Sequence, residues 1–182
     1  MTRNTPRDKT RVMAVGVFDL IHLGHVYYLT EARKLGDELV VVVATDASAA
    51  RRKHEPILPQ EMRAALVAAL KPVDFAVVGH PDDQYRTVED LRPDVIALGW
   101  DDYHKAEEIR AELAKRGLGD VEVARLPKLD QEHDLAGTRR IVRRIMELYR
   151  AAPMAPPSEK AASSPQELRM APPPPPKPED SR

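Results

Sequence analysis

Short apolar runs alternate along the chain with longer segments in which apolar residues recur at helical spacing. The apolar runs are rich in Val, Ile and Leu and predict strands over residues 12–17, 38–45, 74–79, 94–99 and 121–126. The segments between and after them predict helices over residues 25–36, 59–70, 84–91, 105–117 and 137–150. The second strand, ELVVVVAT, is almost continuously apolar, which is typical of a central strand buried on both faces.

Strands that alternate with helices in this way predict an α/β fold. We expect a single doubly wound parallel sheet of about five strands, with helices on both faces. In the expected strand order 3-2-1-4-5, the first and fourth strands are neighbours. Ligands of such sheets bind at the carboxyl ends of the strands, where the strand order reverses. The loops after the first and fourth strands are therefore the first places to look for a site.

Glycine and proline mark several of the predicted helix ends. Gly36 is expected just after the end of the first helix, and Gly117 is expected to end the helix over residues 105–117. Pro59 is expected to occupy the first position of the helix over residues 59–70, since proline lacks the N–H that a first turn leaves unpaired.

The last 32 residues hold 10 of the 17 prolines and contain no aromatic residue and no glycine. Such a segment cannot bury enough apolar surface to offset the entropy of ordering it. We therefore expect residues 151–182 to be disordered, with polyproline II character at PPPPPKP, and residues 1–10 to be a shorter disordered end. We interpret the tail as solvated; the alternative is a docking site for a proline-recognising partner. The folded unit is then residues 11–150.

Charge and composition exclude several classes of protein. The 28 Lys and Arg residues nearly balance the 29 Asp and Glu residues, so the net charge of −1 gives no bulk attraction to nucleic acid or to an anionic membrane. The absence of cysteine excludes disulfides, thiolate metal sites and cysteine nucleophiles. No apolar run approaches the roughly 20 residues of a spanning helix. The basic, polar N-terminus lacks the apolar middle of a secretory signal, which predicts a cytoplasmic protein.

The turn after the first strand, GVFDLIHLGH at residues 16–25, combines glycine and histidine at a strand-to-helix junction. Gly16 lets the backbone turn tightly, and His22 and His25 stand at the mouth of the next helix with Gly24 between them. The first turn of a helix has unpaired N–H groups and about half a positive charge, which favours a phosphate. The two imidazoles supply further donors, and Gly24 leaves room for a phosphate to approach the backbone.

These groups suit nucleotidyl transfer, in which a phosphate monoester attacks the α-phosphorus of a nucleoside triphosphate and pyrophosphate leaves. Because the attacking oxygen is already anionic, the site must supply alignment and charge stabilisation rather than a strong general base. Histidines and helix-terminal N–H groups do this, together with Mg²⁺ or another divalent cation carried by the nucleotide phosphates. We assign no metal ion held by the protein itself.

Other interpretations of the two histidines are a solvated loop and a metal pair. A metal pair needs a third ligand, and Asp19 is the residue that offers one. The spacing H-x-x-H with a glycine at a strand-to-helix turn favours phosphate over metal. The chain has no G-x-x-x-x-G-K-[ST] phosphate loop and no G-x-G-x-x-G dinucleotide fingerprint, so the common nucleotide-binding motifs are excluded.

GVFDLIHLGH resembles the H-x-G-H signature of the cytidylyltransferase-like nucleotidyltransferases, with strand, glycine turn, signature and helix in that family's order. The resemblance implies a Rossmann-like nucleotidyltransferase fold, in which His22 and His25 contact the triphosphate and stabilise the transition state. The other residues of the turn that it implies in nucleotide binding are Val17, Phe18, Leu23 and Gly24. Many members have threonine in place of Val17, so a hydroxyl contact is missing here and a backbone N–H contact is expected instead.

A second candidate region is GWDD, residues 99–102, after the fourth strand. It would face the first turn across the cleft. Asp101 can accept a hydrogen bond from the ribose or base of a nucleotide, and Trp100 can stack on a ring. The alternative is that Asp101 or Asp102 simply caps the helix that follows. The resemblance favours Asp101 as a nucleotide contact, because family members place an acidic residue at this position.

Basic residues supply further candidate phosphate contacts. Arg51, Arg52 and Lys53 are expected in a loop after the second strand, where Lys53 can clamp a phosphate or the whole loop can be solvated. The resemblance implies that Arg63 reaches the acceptor or a phosphate, although its position alone indicates a surface residue.

The start of the last helix, GTRR, is a further candidate. Family members carry a hydroxyl-rich segment here that binds the outer phosphates, and this chain keeps only Thr138, followed by Arg139. The helix N-terminus still favours an anion.

The other histidines carry no such pattern. His54, His104 and His133 are expected to be ordinary loop or surface histidines. His80 ends the third strand and can line the cleft.

The similarity extends over about residues 11–148. The segments HVYYLTEARKLGDELVVVVATD, EPILPQEMRAALVAALKPVD and LRPDVIALGWDD resemble the archaeal-type FAD synthases. That resemblance implies adenylyl transfer from ATP to the phosphate of FMN, which yields FAD and pyrophosphate. The flat ring of FMN requires an apolar or aromatic surface, for which the candidates are Tyr27, Tyr28, Tyr85, Trp100 and Tyr103.

Two other functions stay open on the sequence. A cytidylyltransferase that acts on a small phosphoalcohol, such as glycerol 3-phosphate, carries the same signature. A catalytically idle nucleotide-binding module with a partner-recruiting tail is the alternative from another class, against which the intact His22, Gly24 and His25 argue. Family analogy also suggests a homodimer.

Overall fold

The computed structural model describes residues 8–52, 55–100, 105–129 and 135–150. The strands are β1 (Arg11–Gly16), β2 (Glu38–Val43), β3 (Phe75–Val78), β4 (Val95–Leu98) and β5 (Glu122–Arg125). The helices are α1 (Leu23–Arg33), α2 (Asp46–Arg52), α3 (Gln60–Ala68), α4 (Gln84–Leu91), α5 (Ala106–Lys115) and α6 (Thr138–Tyr149). Every predicted strand and helix is present, and α2 is additional. The helix α4 has the predicted bounds, and the other elements are shorter than predicted or shifted by a few residues.

The strands form one parallel sheet in the order β3-β2-β1-β4-β5. β1 is the central strand, and its Ala14 lies opposite Val41 of β2 on one side and Ala97 of β4 on the other. The strands β2 and β3 are therefore added on one side of β1, and β4 and β5 are added on the other side. This arrangement confirms the predicted fold class and strand order, and it brings the loops after β1 and β4 to the same edge.

Two apolar cores cover the two faces of the sheet. On one face Ala14 and Val41 pack with Leu29 of α1 and Val67 of α3. On the other face Met13 and Ile96 pack with side chains of α4 and α5. Because successive side chains of a strand point to opposite faces, Met13 and Ala14 contribute to different cores. Each fully buried Val or Leu contributes about 1.5–3 kcal/mol to this packing.

The helix α2 corrects the prediction of a loop for Arg51 and Arg52, because both residues belong to α2. The helix has only seven residues, DASAARR, and lacks the apolar spacing by which longer helices are found. A capping signal is present instead, since Thr45 Oγ1 accepts a hydrogen bond from the backbone N–H of Ser48 at 3.1 Å.

Gly36 and Gly117 differ in what they do at the ends of their helices. Gly117 has φ of +72°, so it provides the expected left-handed residue after α5. The expectation for Gly36 was wrong, because α1 ends at Arg33 and its C-cap Lys34 is right-handed. A Cβ on Gly36 would lie 2.7 Å from the carbonyl oxygen of Thr10. Glycine is therefore required at residue 36 by close packing of the chain against β1.

The chain divides into two units, residues 1–146 and residues 147–182. The sheet and its cores belong to the first unit, and the described part of the second unit is residues 147–150. The predicted disordered tail 151–182 and most of the predicted N-terminal segment lie outside the described residues, so these boundaries stay predictions. No helix in the described part of the chain is long and apolar enough to cross a membrane. The cytoplasmic location stays a prediction.

Candidate active site

The turn between β1 and α1 has a strained backbone. Two residues other than glycine adopt positive φ, Phe18 at 54° and Leu20 at 48°. Such conformations cost on the order of 1–3 kcal/mol each and persist only where the surrounding structure determines them. The side chain of Phe18 is buried, and a Cβ on Gly16 would lie 2.9 Å from the ring of Phe18. Gly16 is therefore required so that this ring can fold back over the end of β1.

Asp19 holds the turn in place from the side of α3. Its carboxylate is buried and accepts hydrogen bonds from the backbone N–H groups of Ile57 at 2.9 Å and Leu58 at 3.1 Å. On the other side, the hydroxyl of Thr138 donates to the carbonyl oxygen of Asp19 at 2.8 Å. Asp19 is thus a structural residue, and the described residues contain no group of three His, Asp or Glu side chains that could hold a metal ion. A metal pair at the histidines consequently lacks the third ligand that we considered.

Arg63 lies beneath the same turn and is completely buried. Its guanidinium donates to the carbonyl oxygens of Val17, Ala44 and Leu58. It also pairs with the carboxylate of Asp46 at 2.6 Å. Arg63 therefore ties the segments that follow β1 and β2 together.

The expected contact of Arg63 with phosphate or acceptor requires correction on this point. A guanidinium with no exposed surface and with all its nitrogens engaged supports the turn from below. The signal that sequence reasoning missed was its partner Asp46, since a buried arginine needs an ionised partner to offset its desolvation.

His22 and His25 are brought together at the start of α1. Their rings stack with centroids 3.8 Å apart and planes inclined by 20°. The ring of Phe18 packs against His25, with ring centroids 5.2 Å apart, and separates the histidine pair from the core. Both Nδ1 atoms are buried, and neither has a hydrogen-bond partner among the described residues. Because a buried polar atom without a partner costs about 1–3 kcal/mol, this pair points to a ligand.

The electrostatics of the pair favour neutral rings. Burial lowers the pKa of His22 below its ordinary value of 6.5. Burial, and after it the charge of His22, lower the pKa of His25 to about 3. Both imidazoles are therefore neutral at pH 7 in the free protein. A bound polyanion would raise both pKa values, since an opposite charge favours the protonated form.

Gly24 is surrounded closely by two other groups of the chain. A Cβ there would lie 3.0 Å from the ring of His22 and 3.0 Å from the carbonyl oxygen of Ala136. Glycine thus makes room for the imidazole and for the segment that precedes α6. The neighbouring Leu23 is 54% exposed as the first residue of α1.

A cavity of about 360 Å³ opens at the carboxyl ends of β1, β2 and β3. Its floor includes Met13, Val15 and Val42 from the sheet. The polar residues of its wall come from the segments after β2 and β3 and are Thr45, Ser48, Arg51, His80, Asp82, Asp83, Gln84, Tyr85 and Thr87. His80 lines this cavity, at the end of the third strand where we expected it. The sequence did not single out Thr45 or Ser48.

The remaining candidate residues lie partly inside and partly outside the described ranges. Lys53, Asp101 and Tyr103 lie outside the described residues, so the structure gives no position for them. Trp100 is 53% exposed, and the ammonium of Lys128 lies 5.0 Å from its ring. Arg139 is exposed on the first turn of α6. Thr138 is engaged with Asp19, as described above.

Among the described tyrosines that were considered as a surface for a flat ring, only Tyr85 lines the cavity. The hydroxyl of Tyr28 donates to the carbonyl oxygen of Ala97 at 2.8 Å, and its ring packs against the core, so Tyr28 is a core residue. Tyr27 lies on α1 with its hydroxyl 3.5 Å from the carbonyl oxygen of Lys128.

Comparison with known proteins gives a consistent result. The sequence pattern of the family described as "Cytidylyltransferase-like" matches residues 13–161. A protein named FAD synthase from Aciduliprofundum boonei is 56% identical over 137 residues, which are 75% of this chain and 91% of that protein. Another FAD synthase, from Methanoregula boonei, is 49% identical over 137 residues, which are 75% of this chain and 90% of that protein.

A solved structure is similar as well. The structure titled as a lipopolysaccharide core biosynthesis protein from Thermoplasma volcanium superposes with a TM-score of 0.65 at 46% identity. The match covers 67% of this chain and 99% of that one. The likeness therefore spans the whole of the solved chain and most of the part of this chain that carries the sheet.

Proposed function

Because the chain belongs to the cytidylyltransferase-like family and is closely related to archaeal FAD synthases, we propose that it transfers the adenylyl group of ATP to FMN. The products are FAD and pyrophosphate. The membership was expected from the signature GVFDLIHLGH and is confirmed by the family match and by these relatives.

The reaction is an in-line displacement at phosphorus. An anionic oxygen of the FMN phosphate forms a bond with the α-phosphorus of ATP. The bond from the α-phosphorus to the oxygen that bridges it to the β-phosphorus breaks, and its electron pair leaves with pyrophosphate. No proton has to be removed from the nucleophile, so the protein contributes alignment and stabilisation of charge on the phosphoryl oxygens.

The observation that carries the proposal is the stacked pair of His22 and His25. Two neutral imidazoles with unpartnered Nδ1 atoms stand at the start of α1, where helix N–H groups also favour an anion. When the triphosphate binds, its charge favours imidazolium, and the pair then offers N–H donors to the phosphoryl oxygens. Donors placed where charge develops are typically worth roughly 10²–10³ in turnover each.

Other parts of the chain complete the nucleotide site in this proposal. The backbone of the turn and the start of α6 surround the phosphates, and the loop after β4 holds the ribose or base. The residues assigned to these roles are Val17, Phe18, Leu23, Gly24, Asp101 and Thr138, with Lys53 and Arg139 as outer phosphate contacts. Arg63 makes no direct contact with the nucleotide in this proposal and instead holds the turn in place from below.

The divalent cation enters as part of the substrate. Mg²⁺ prefers oxygen ligands, whereas the histidine pair offers nitrogen, and the carboxylate oxygens of Asp19 already accept two backbone N–H groups. The oxygens suited to Mg²⁺ are those of the nucleotide phosphates. The ion there neutralises charge on the triphosphate and helps pyrophosphate to leave.

We assign the cavity after β1, β2 and β3 to the acceptor. Val15 and Ala44 line the cavity, and the N–H of Ala44 donates to the carbonyl oxygen of Gly16 at 2.9 Å, so the cavity begins beside the turn. Its volume of about 360 Å³ lies within the usual range for sites of small molecules.

The test is incubation of the full chain with MgATP and FMN, with chromatographic detection of FAD and an assay of pyrophosphate. We expect equal amounts of FAD and pyrophosphate. Formation of a product only with CTP and glycerol 3-phosphate would instead support a cytidylyltransferase, and nucleotide binding without release of pyrophosphate would support an idle module. Neither alternative is favoured by the relatives, which carry the name FAD synthase.

A further inference from the structure

The backbone at His80 is fixed by two neighbouring elements. The N–H of Gly79 donates to the carbonyl oxygen of Val43 at 2.9 Å, which extends the pairing of β3 with β2. The N–H of His80 then donates to the hydroxyl of Thr87 on α4 at 2.9 Å. His80 therefore occupies a defined position at the point where the chain leaves the sheet and borders the cavity.

The ring of His80 has a defined tautomer. Its Nδ1 atom lies 3.3 Å from the backbone nitrogen of Asp82 and 3.2 Å from that of Asp83, and it accepts from both N–H groups. A nitrogen that accepts hydrogen bonds carries no proton, so the neutral ring holds its proton on Nε2. The cavity wall therefore contains one imidazole whose remaining polar atom is a donor.

The rest of the rim is held rigidly around that donor. The carboxylate of Asp83 caps α4 by accepting from the N–H of Tyr85 at 2.9 Å, and Arg116 donates to it at 2.8 Å. The guanidinium of Arg116 also lies 5.0 Å from the ring centre of Tyr85. On the opposite side, Arg51 donates to the carbonyl oxygen of Pro81 at 3.1 Å. A rim with so many internal bonds suits a ligand of fixed shape.

The cavity combines this rim with an apolar floor. Met13, Val15 and Val42 lie on the sheet side, and Tyr85 supplies an aromatic wall. The isoalloxazine ring of a flavin is flat, with an apolar dimethylbenzene end and a polar edge whose carbonyl oxygens and ring nitrogens accept hydrogen bonds. A donor in a defined position above an apolar floor matches such a ring.

We propose that His80 determines specificity for the flavin by donating a hydrogen bond from Nε2 to the polar edge of the isoalloxazine ring. This assignment rests on the proposed function, because it takes FMN as the acceptor. It gives His80 a role in binding and none in the displacement at phosphorus. The alternative partner for the same N–H is the FMN phosphate, and the two partners are distinguished by riboflavin, which has the ring without the phosphate.

The test compares His80→Asn with the wild-type full chain, with ligand affinity measured by quenching of flavin fluorescence in the absence of ATP. Asparagine keeps an oxygen near the position of Nδ1 for the two N–H groups of the rim but lacks the distal donor. We expect affinities for FMN and riboflavin to fall together by about tenfold, the value of one hydrogen bond. The turnover at saturating FMN is expected to stay within about twofold. Glu107→Gln, an exposed change on α5, is the matched control.

A second variant keeps the test decisive if His80→Asn loses its fold. Glutamine at residue 80 carries an amide N–H₂ near the position of Nε2, so His80→Gln is expected to retain riboflavin affinity within about threefold. Unchanged affinity in a folded His80→Asn, or a loss in a folded His80→Gln as large as that expected for asparagine, would overturn the proposal. A loss for FMN without a loss for riboflavin would overturn it in favour of the phosphate. If the wild-type chain forms no FAD at all, the proposed function itself fails.

Discussion

The turn 16–25 and the cavity rim 80–87 both follow strands of one sheet, yet their polar groups are arranged in opposite ways. The turn contains two buried imidazole nitrogens without partners among the described residues and two strained residues, Phe18 and Leu20. At the rim, by contrast, His80 Nδ1, the Asp83 carboxylate and the Thr87 hydroxyl all accept hydrogen bonds from the rim's own backbone. The unpartnered imidazole nitrogens of the turn are suited to binding a charged ligand, whereas the hydrogen bonds of the rim fix its shape. The difference separates the region that we assign to chemistry from the region that we assign to recognition.

The two regions also rest on different arginines. Arg63 is completely buried beneath the turn and pairs with one carboxylate and three backbone carbonyls. Arg116 stands behind the rim with 28% of its side chain exposed and pairs with three carboxylates, those of Asp83, Glu89 and Glu112. Water can replace part of what Arg116 provides, whereas the guanidinium of Arg63 itself has no contact with water. The turn is therefore expected to be the less tolerant of the two.

The largest expected effect is on chemistry at the turn. Replacing His25 by asparagine removes one of the two donors proposed for the phosphoryl oxygens, and turnover should fall by roughly 10²–10³. Steady-state release of pyrophosphate measures it, with thermal melting as the control for folding. Turnover within about threefold of the wild type in a folded variant would mean that the histidine pair is not the site.

The next effect is on stability and compares the two arginines. Arg63→Met leaves three backbone carbonyls and Asp46 without their donor, and the free energy of unfolding should fall by about 3 kcal/mol. Arg116→Met should lower it by much less, because the partners of Arg116 remain hydrated. Urea unfolding of both variants measures the difference. Equal losses in the two variants would contradict the contrast between a buried and a hydrated network.

The two regions should also change the free energy of unfolding in two separate pH ranges. The pKa of His25 is about 3 in the folded chain and 6.5 ordinarily, so below pH 6.5 the unfolded chain binds a proton that the folded chain does not. Stability therefore falls as the pH drops from about 6.5 toward 3, by about 2 kcal/mol at pH 5 relative to pH 7. His25→Asn should lose this part of the pH dependence in urea titrations at pH 7 and 5. The same slope in both proteins would show that His25 is protonated in the fold.

At the rim, the hydrogen bond from Arg116 lowers the pKa of Asp83 below its ordinary value of 3.8. A lowered carboxyl pKa stabilises the fold above the ordinary value, and this contribution is lost only as the pH falls through the lowered one. Asp83→Asn should therefore change the pH dependence of stability only below about pH 4. A change between pH 5 and 7 in that variant would break the separation of the two windows.

The smallest effect concerns the hydrogen bond between α6 and the turn. Thr138→Val removes the donor to the carbonyl oxygen of Asp19, which should cost about 1 kcal/mol of stability. Thr138→Ser keeps the hydroxyl and is the control. The KM for ATP should rise more in the valine variant than in the serine variant, because Asp19 belongs to the turn. Valine and serine variants with the same KM would separate this bond from nucleotide binding.

Much of the fold could be predicted because its signals are local. The run ELVVVVAT indicates a central strand by itself, and Gly117 indicates the end of α5 by its freedom at positive φ. The helix α2 was missed because seven residues without apolar spacing carry little periodicity. Gly36 was misjudged because its reason is a contact with Thr10, which no local pattern encodes.

By itself, the sequence determined the alternation of strands and helices, and with it the parallel sheet, and it determined that His22 and His25 stand at the start of a helix. Only the tertiary structure decided that the two rings stack, that Arg63 is buried beneath the turn, and that Nδ1 of His80 accepts two backbone hydrogen bonds. The reason is distance along the chain: the bond that holds the turn from α6 joins residues 119 positions apart, and burial depends on every element that packs around a side chain. Periodicity reports which face of an element is apolar, whereas the state of a buried charge is set by partners that folding alone brings near.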